Sequence, residues 1–245
     1  AYFRKNLIST AAFFLVWENR IFLNAQAPPS AGRRGSLVWD KTKKGGSPLA
    51  DSLNIQWFPG HMTKTRRMIE ANLKQVDAVM EIVDARIPVS SRNPLIDELT
   101  KGKKRLIVLN KCDLSQPEGN RLWSDYFSAR GYAVLQLNAL SGKGVSAIAP
   151  ALRRLLQDKI ERDAQRGMNK PLPVMVLGIP NVGKSSLINR LAKAAKTRVA
   201  DRPGVTRGKQ WIAIDGNIDL LDTPGILWPK FEDPLVSLHL AFTGA

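Results

Sequence analysis

Two short strings in this chain have the residue types and spacing to hold a nucleotide. One is Gly178-Ile179-Pro180-Asn181-Val182-Gly183-Lys184-Ser185. Its glycines let backbone N–H groups approach phosphate oxygens closely, and Lys184 offers a point charge to the β- and γ-phosphates. Ser185 would ligate Mg2+ at a helix N-terminus, and Asn181, Val182, Gly183 and Ser186 complete the expected phosphate cradle. The other string is Asn110-Lys111-Cys112-Asp113. A carboxylate at Asp113 accepts from both N1–H and the exocyclic amine of guanine, whereas adenine presents it with an acceptor, so the expected ligands are GTP and GDP and ATP is excluded. Asn110 would pin the loop and the base, the stem of Lys111 would cover the ring, and the Asn138-Ala139-Leu140-Ser141 turn would offer the Ala139 N–H to the guanine oxygen.

A third string, Asp222-Thr223-Pro224-Gly225, follows the apolar run Ile218 to Leu221. Asp222 would hold Mg2+ through water, and the Gly225 N–H would face the γ-phosphate. Between it and the phosphate loop lies Pro203-Gly204-Val205-Thr206. Thr206 is either a second hydroxyl for Mg2+ or an ordinary turn hydroxyl. The base-reading string comes before the phosphate loop, the reverse of the Ras-like order, so the domain is expected to be cyclically re-cut.

Strands and helices must carry these strings to one place. Ala78 to Val83, Arg105 to Leu109, Tyr132 to Leu137 and Leu172 to Leu177 read as strands, with Trp211 to Ile214 and Ile218 to Leu221 as an antiparallel pair turning at Asp215-Gly216-Asn217. Lys64 to Gln75 reads as a surface helix with Met68, Ile69 and Leu73 on one face, and Val145 to Arg162 as one long helix. The expected fold is α/β: a circularly permuted Ras-like P-loop domain with a six-stranded, mostly parallel sheet flanked by helices. No internal repeat is visible.

Composition sets the partners. A chain of 245 residues, 44% hydrophobic, can bury one good core. Its single cysteine, Cys112, excludes an internal disulfide framework. A formal charge of +16 suits a surface that sits against phosphate, which does not separate RNA from an inner-membrane surface. Residues 1–54 are basic, hydroxylated and poor in acid, with Glu18 the only acid before Asp40. They read as a transit region or as a basic arm on a cytosolic protein. The run Ala11 to Val16 is too short to span a bilayer.

From Ile55 onward the chain resembles the circularly permuted ribosome-assembly GTPases of the bacterial RbgA/YlqF type and their organellar relatives. The resemblance rests on Gln56-Trp57-Phe58-Pro59-Gly60-His61-Met62, Asp84 to Pro94, the phosphate loop and Asp222 to Lys230. It implies GTP hydrolysis stimulated by the large ribosomal subunit late in assembly, contact with rRNA but not DNA, and residence in the mitochondrion, with chloroplast and cytoplasm as alternatives. The family continues into a helical RNA-binding domain beyond the position of Ala245, so that domain is expected to be absent from this chain.

The water-orienting glutamine that often follows Asp-x-x-Gly is replaced by Ile226. The resemblance puts His61 on a loop near the γ-phosphate as its substitute. Otherwise His61 is a turn residue packed beside Phe58. Asn181 resembles the asparagine that holds K+ in cation-activated GTPases. Arg86 and Arg92 either contact rRNA or pair within the protein, and His239 is expected at the surface. Two other readings stay open: a non-catalytic rRNA-binding placeholder with structural GTP, and a GTPase of tRNA modification.

Overall fold

The computed structural model describes residues 59–196, 211–215, 217–225 and 233–244, all within the unit Leu49–Ala245. The basic extension 1–54, Thr206 and Ile226 lie outside the described residues.

Strands β1 (Ala78–Asp84), β2 (Lys104–Asn110), β3 (Ala133–Leu137), β4 (Leu172–Leu177), β5 (Trp211–Ile214) and β6 (Ile218–Asp222) form one sheet in the order β3-β2-β1-β4-β6-β5. Every neighbouring pair is parallel except β5 with β6. All seven residues of β1 are buried, as a central parallel strand covered on both faces requires. Side-chain alternation along β4 feeds two cores: Val174 and Val176 face one side of the sheet, Met175 and Leu177 the other.

Helix α1 (Pro59–Leu73) packs Ile69 and Leu73 with Val79, Met175, Leu177 and Leu221 on one face, joined by Ile96 of α2 (Pro94–Leu99). The larger core, on the other face, takes Ile148 and Leu152 from α4 (Ile148–Leu155), Leu187, Ile188 and Leu191 from α6 (Lys184–Lys196), and Leu240 from α7 (Pro234–Thr243). Helix α3 (Pro117–Ala129) buries Trp123 and Phe127. Asn93 and Asp233 cap α2 and α7 by accepting from the Leu95 and Leu235 N–H groups at 2.9 and 2.8 Å.

Three expectations are corrected. Helix α1 begins at Pro59, not Lys64, so His61 is carried by the first turn of a helix and not by a loop; proline suits a first helical position because its fixed φ is already helical. The stretch expected as one helix from Val145 to Arg162 is a short 3-10 turn (Val145–Ala147), α4, and α5 (Gln157–Gln165). Ile148, Leu152 and Leu156 stay in the core across the break. His239 is not at the surface: it is 8% exposed, with Nδ1 2.8 Å from Ser90 Oγ, because α7 seats against the loop that follows β1. Burial pushes its pKa down, opposed by Asp233.

The re-cutting of the domain is visible in the sheet. The chain moves outward through β1, β2 and β3, then returns to lay β4 on the other side of β1, with Ala78 opposite Val174. That reversal creates a crevice at the carboxyl ends of β1 and β4, where open α/β sheets bind ligands. Asp84, Asn110, Leu137, Leu177 and Asp222 end their strands along this same edge.

Candidate functional site

Asn110 is the hub of the crevice. It is 2% exposed, and its amide donates to the Val182 carbonyl at 2.7 Å while accepting from the Ala139 N–H at 2.9 Å. One side chain thus ties together the loops after β2, β3 and β4. Lys111, the next residue, has φ 61 and ψ 32, a left-handed conformation costing an ordinary residue roughly 1–2 kcal/mol. Its ammonium donates to the Asn181 carbonyl at 2.8 Å and lies 2.9 Å from Asp84 Oδ2. The base-reading and phosphate strings, far apart in sequence, are therefore bonded to each other at two successive residues. Asp113 lies exposed in the short 3-10 turn Cys112–Leu114.

The phosphate loop leaves β4 and enters α6 at Lys184, the strand–loop–helix frame that aims N–H groups at an anion. Gly183 has φ 94, and a Cβ there would collide with Asn110 Nδ2, so only glycine fits. Asn181 has φ 59, a conformation asparagine tolerates better than most residues. Val182 is buried, Ser185 exposed and Ser186 half-buried on the first turn of α6.

Beyond β6, Gly225 lies against this loop: a Cβ there would stand 2.8 Å from the Pro180 nitrogen. Thr223 Oγ1 is anchored on the Val176 carbonyl at 2.5 Å. Burial lowers the Lys184 pKa and raises that of Asp222, each partly opposed by the charge of the other. Asp222 Oδ1 is buried with no hydrogen-bond partner among the described residues. An orphaned carboxylate oxygen beside a phosphate loop fits a hard divalent cation such as Mg2+, which prefers oxygen ligands.

The turn after β3 departs from expectation. Asn138 Oδ1 accepts from the Leu140 and Ser141 N–H groups at 2.8 and 2.9 Å and shapes the turn. The Ala139 N–H is bonded to Asn110, and Ala139 is 3% exposed, so this donor does not stand open for a guanine oxygen. Arg190 of α6, which sequence reasoning passed over, donates to the Ala139 carbonyl at 2.7 Å and to the Leu140 carbonyl. Its guanidinium lies where a Cβ on Gly142 would stand. No local pattern marks Arg190; only the approach of α6 to this turn reveals it.

Both loop arginines pair within the protein. Arg86 forks onto Asp84 at 2.9 and 2.6 Å and also reaches the Thr243 carbonyl at 3.0 Å. Burial opposes ionisation of Asp84, yet hydrogen bonds from Arg86 and Lys111 hold its carboxyl below the usual value. Arg92 bridges buried Glu81 and Asp97 at 3.1 and 2.6 Å, and Arg105 contacts the same two acids.

Comparison with known proteins agrees with this geometry. The family described as 50S ribosome-binding GTPase matches residues 173–242. Ribosome biogenesis GTPase A of Priestia megaterium is 51% identical over 195 residues, covering 79% of this chain and 68% of that protein. Mitochondrial ribosome-associated GTPase 1 of Mus musculus is 38% identical over 208 residues, covering 80% and 63%. The crystal structure of GNP-bound YlqF from T. maritima superposes with a TM-score of 0.54 at 26% identity, over 74% of this chain and 66% of that one. The chain thus spans about two thirds of the length of these relatives. With its base-reading and phosphate loops joined at the switch of a re-cut α/β sheet, this chain belongs to the circularly permuted P-loop GTPases of the ribosome biogenesis GTPase A family.

Proposed function

We propose that this GTPase uses GTP binding and hydrolysis to drive a late step in assembly of the large ribosomal subunit. The observation that carries the reading is the pair of bonds from Asn110 and Lys111 to the carbonyls of Val182 and Asn181, which joins base recognition to phosphate binding in one crevice. The names of the bacterial and mitochondrial relatives support the ribosomal partner. In this reading Asp113 selects guanine, Asn110, Lys111 and the Asn138–Ala139 turn frame the base, and Asn181 to Ser186 hold the phosphates. Mg2+ is held by Ser185, Thr206 and, through water, Asp222; the orphaned Oδ1 supports the last assignment. Gly225 senses the γ-phosphate from its seat beside Pro180.

His61 supplies the water-orienting group in place of a glutamine, from the first turn of α1. An imidazole nitrogen can orient or deprotonate a water, which is that task. K+ at Asn181 neutralises transition-state charge. Residues 55–245 form the GTPase domain, and 1–54 act as a leader into the mitochondrion, supported by their composition and by the mitochondrial relative. The alternatives are chloroplast and cytoplasm, the latter supported by the higher identity to bacterial proteins, and import into isolated organelles separates the three. Contact with an inner-membrane surface would be peripheral and carried by basic charge; among the described residues no helix is long and apolar enough to cross a membrane.

The test is single-turnover GTP hydrolysis with and without large subunits, in potassium and in sodium. Stimulation by subunits that is lost in His61→Ala, with GTP affinity kept, is the expected result. Unstimulated kinetics would point to a placeholder with structural GTP, equal stimulation in the mutant would remove His61, and equal rates in both salts would remove K+.

A further inference from the structure

Among the described residues, Asp84 is the one fully buried carboxylate that reaches the base-reading loop, and nothing in the reaction described above uses it. Its side chain is 0% exposed at the carboxyl end of β1. Oδ1 accepts from the Arg86 backbone N–H at 3.0 Å and from Arg86 Nε at 2.9 Å, while Oδ2 accepts from Arg86 Nη2 at 2.6 Å and pairs with Lys111 Nζ at 2.9 Å. Arg86 alone would satisfy most of this carboxylate, so the second cation needs a reason.

The reason lies in the geometry of Lys111. Its backbone is left-handed, and a strained residue persists only where its surroundings hold it. Its ammonium has two anchors that differ in kind. The Asn181 carbonyl belongs to the phosphate loop, which must accommodate a ligand, whereas Asp84 belongs to the central strand and is braced on both sides. The backbone at Asp84 is fixed as well: its N–H donates to Ser91 Oγ at 2.9 Å, and the next N–H, of Ala85, donates to the Asn110 carbonyl at 2.8 Å. A flexible four-carbon stem fixed at both ends becomes a wall of defined position, and order established before the ligand arrives does not have to be created on binding.

We propose that Asp84 is a positioning residue for guanine-nucleotide binding, fixing Lys111 so that its stem forms a preset wall over the base. It touches no ligand itself and acts through Lys111. The proposal deepens the guanine-site reading and rests on it. Arg86 has a supporting part: it neutralises the remaining charge on Asp84 and carries the same ion pair to the end of α7 through the Thr243 carbonyl.

Release of fluorescently labelled GDP from the full chain tests this, using Asp84→Asn, Lys111→Met and the double variant, with labelled ADP as the reference ligand. Each single change is expected to speed GDP release about tenfold, the loss of part of a charge-assisted hydrogen bond. The double variant should be no more than about twofold faster than Lys111→Met, because both changes remove the same wall. Rates that multiply in the double variant, or wild-type release from a folded Asp84→Asn, would overturn the proposal. If Asp84→Asn does not fold, Lys111→Arg decides: it keeps a cation for Asp84 and should retain GDP better than Lys111→Met, and equal release from the two overturns the assignment. A wild-type chain that holds ADP as well as GDP would sink the guanine-site reading itself, and the proposal with it.

Discussion

Replacing Asn110 by alanine removes the one amide that joins three loops. Two hydrogen bonds go, to the Val182 carbonyl at 2.7 Å and from the Ala139 N–H at 2.9 Å, and each is worth ~1 kcal/mol net. Both former partners belong to buried residues, so each is left to find water or remain unpaired, at a further ~1–3 kcal/mol when it cannot. Water entering the vacated space offsets part of this, and the expected loss of folding stability is about 3 kcal/mol for the nucleotide-free protein. For a domain of this size that lowers Tm by roughly 6–12 °C. Calorimetry and urea unfolding without nucleotide isolate this scaffold role from any contact with guanine. Asn110→Asp sharpens the test: it keeps the acceptor for Ala139 but sets a carboxylate against the Val182 carbonyl, and should destabilise at least as much. A Tm within about 1 °C of wild type for Asn110→Ala would refute the reasoning, because the three loops would then be held by something else.

Three further outcomes follow from the site. Because burial raises the Asp222 carboxyl, its ionisation opposes folding: its contribution is complete below the ordinary carboxylate range and is lost as pH rises through the raised value. Asp222→Asn should therefore raise Tm at pH 7 without nucleotide while weakening Mg2+-dependent GTP binding, and a lower Tm in thermal unfolding would contradict this. Asp84 has the opposite sign: held low by Arg86 and Lys111 against burial, it contributes stability above its ordinary value near 3.8 that is lost as pH falls through the lowered one. Acid titration should show Asp84→Asn losing its disadvantage relative to wild type as pH drops below that value, and a constant difference down to pH 2 would count against it. Arg190→Ala should weaken GDP about tenfold in calorimetry by releasing the 138–142 turn, and unchanged affinity would show that the turn holds itself.

Much of this architecture could be read from residue order. The six strands fall within a residue or so of their expected limits, and in β1, β2 and β4 near-continuous apolar runs buried on both faces leave little choice. The phosphate loop was legible because its glycines are required locally, as the collision of a Gly183 Cβ with Asn110 shows. What the chain concealed depends on distant partners. Glu81 looks like an interruption in an apolar strand until Arg92 and Arg105 close on it. His239 looks solvent-facing until Ser90 covers it. The break at Leu156 has no proline or glycine beside it, and nothing local to the Asn138–Ser141 turn shows that the loop-pinning Asn110, twenty-nine residues earlier, takes up the Ala139 N–H.

The sheet order has a bearing on how the protein is made. As the chain emerges during synthesis, β1, β2 and β3 can pair at once, but the other edge of β1 stays open until β4 has been made, since Ala78 must wait for Val174. Pairings between such remote segments form slowly, and a bare hydrophobic strand edge invites wrong partners meanwhile. The nascent half-sheet already carries Asn110, Lys111 and Asp113 yet has nothing to grip phosphate with, so the crevice closes only after β4 and its loop join it. A helper that shields the β1 edge during that interval would raise the yield of this domain, whereas a chain in the unpermuted order completes its phosphate loop first.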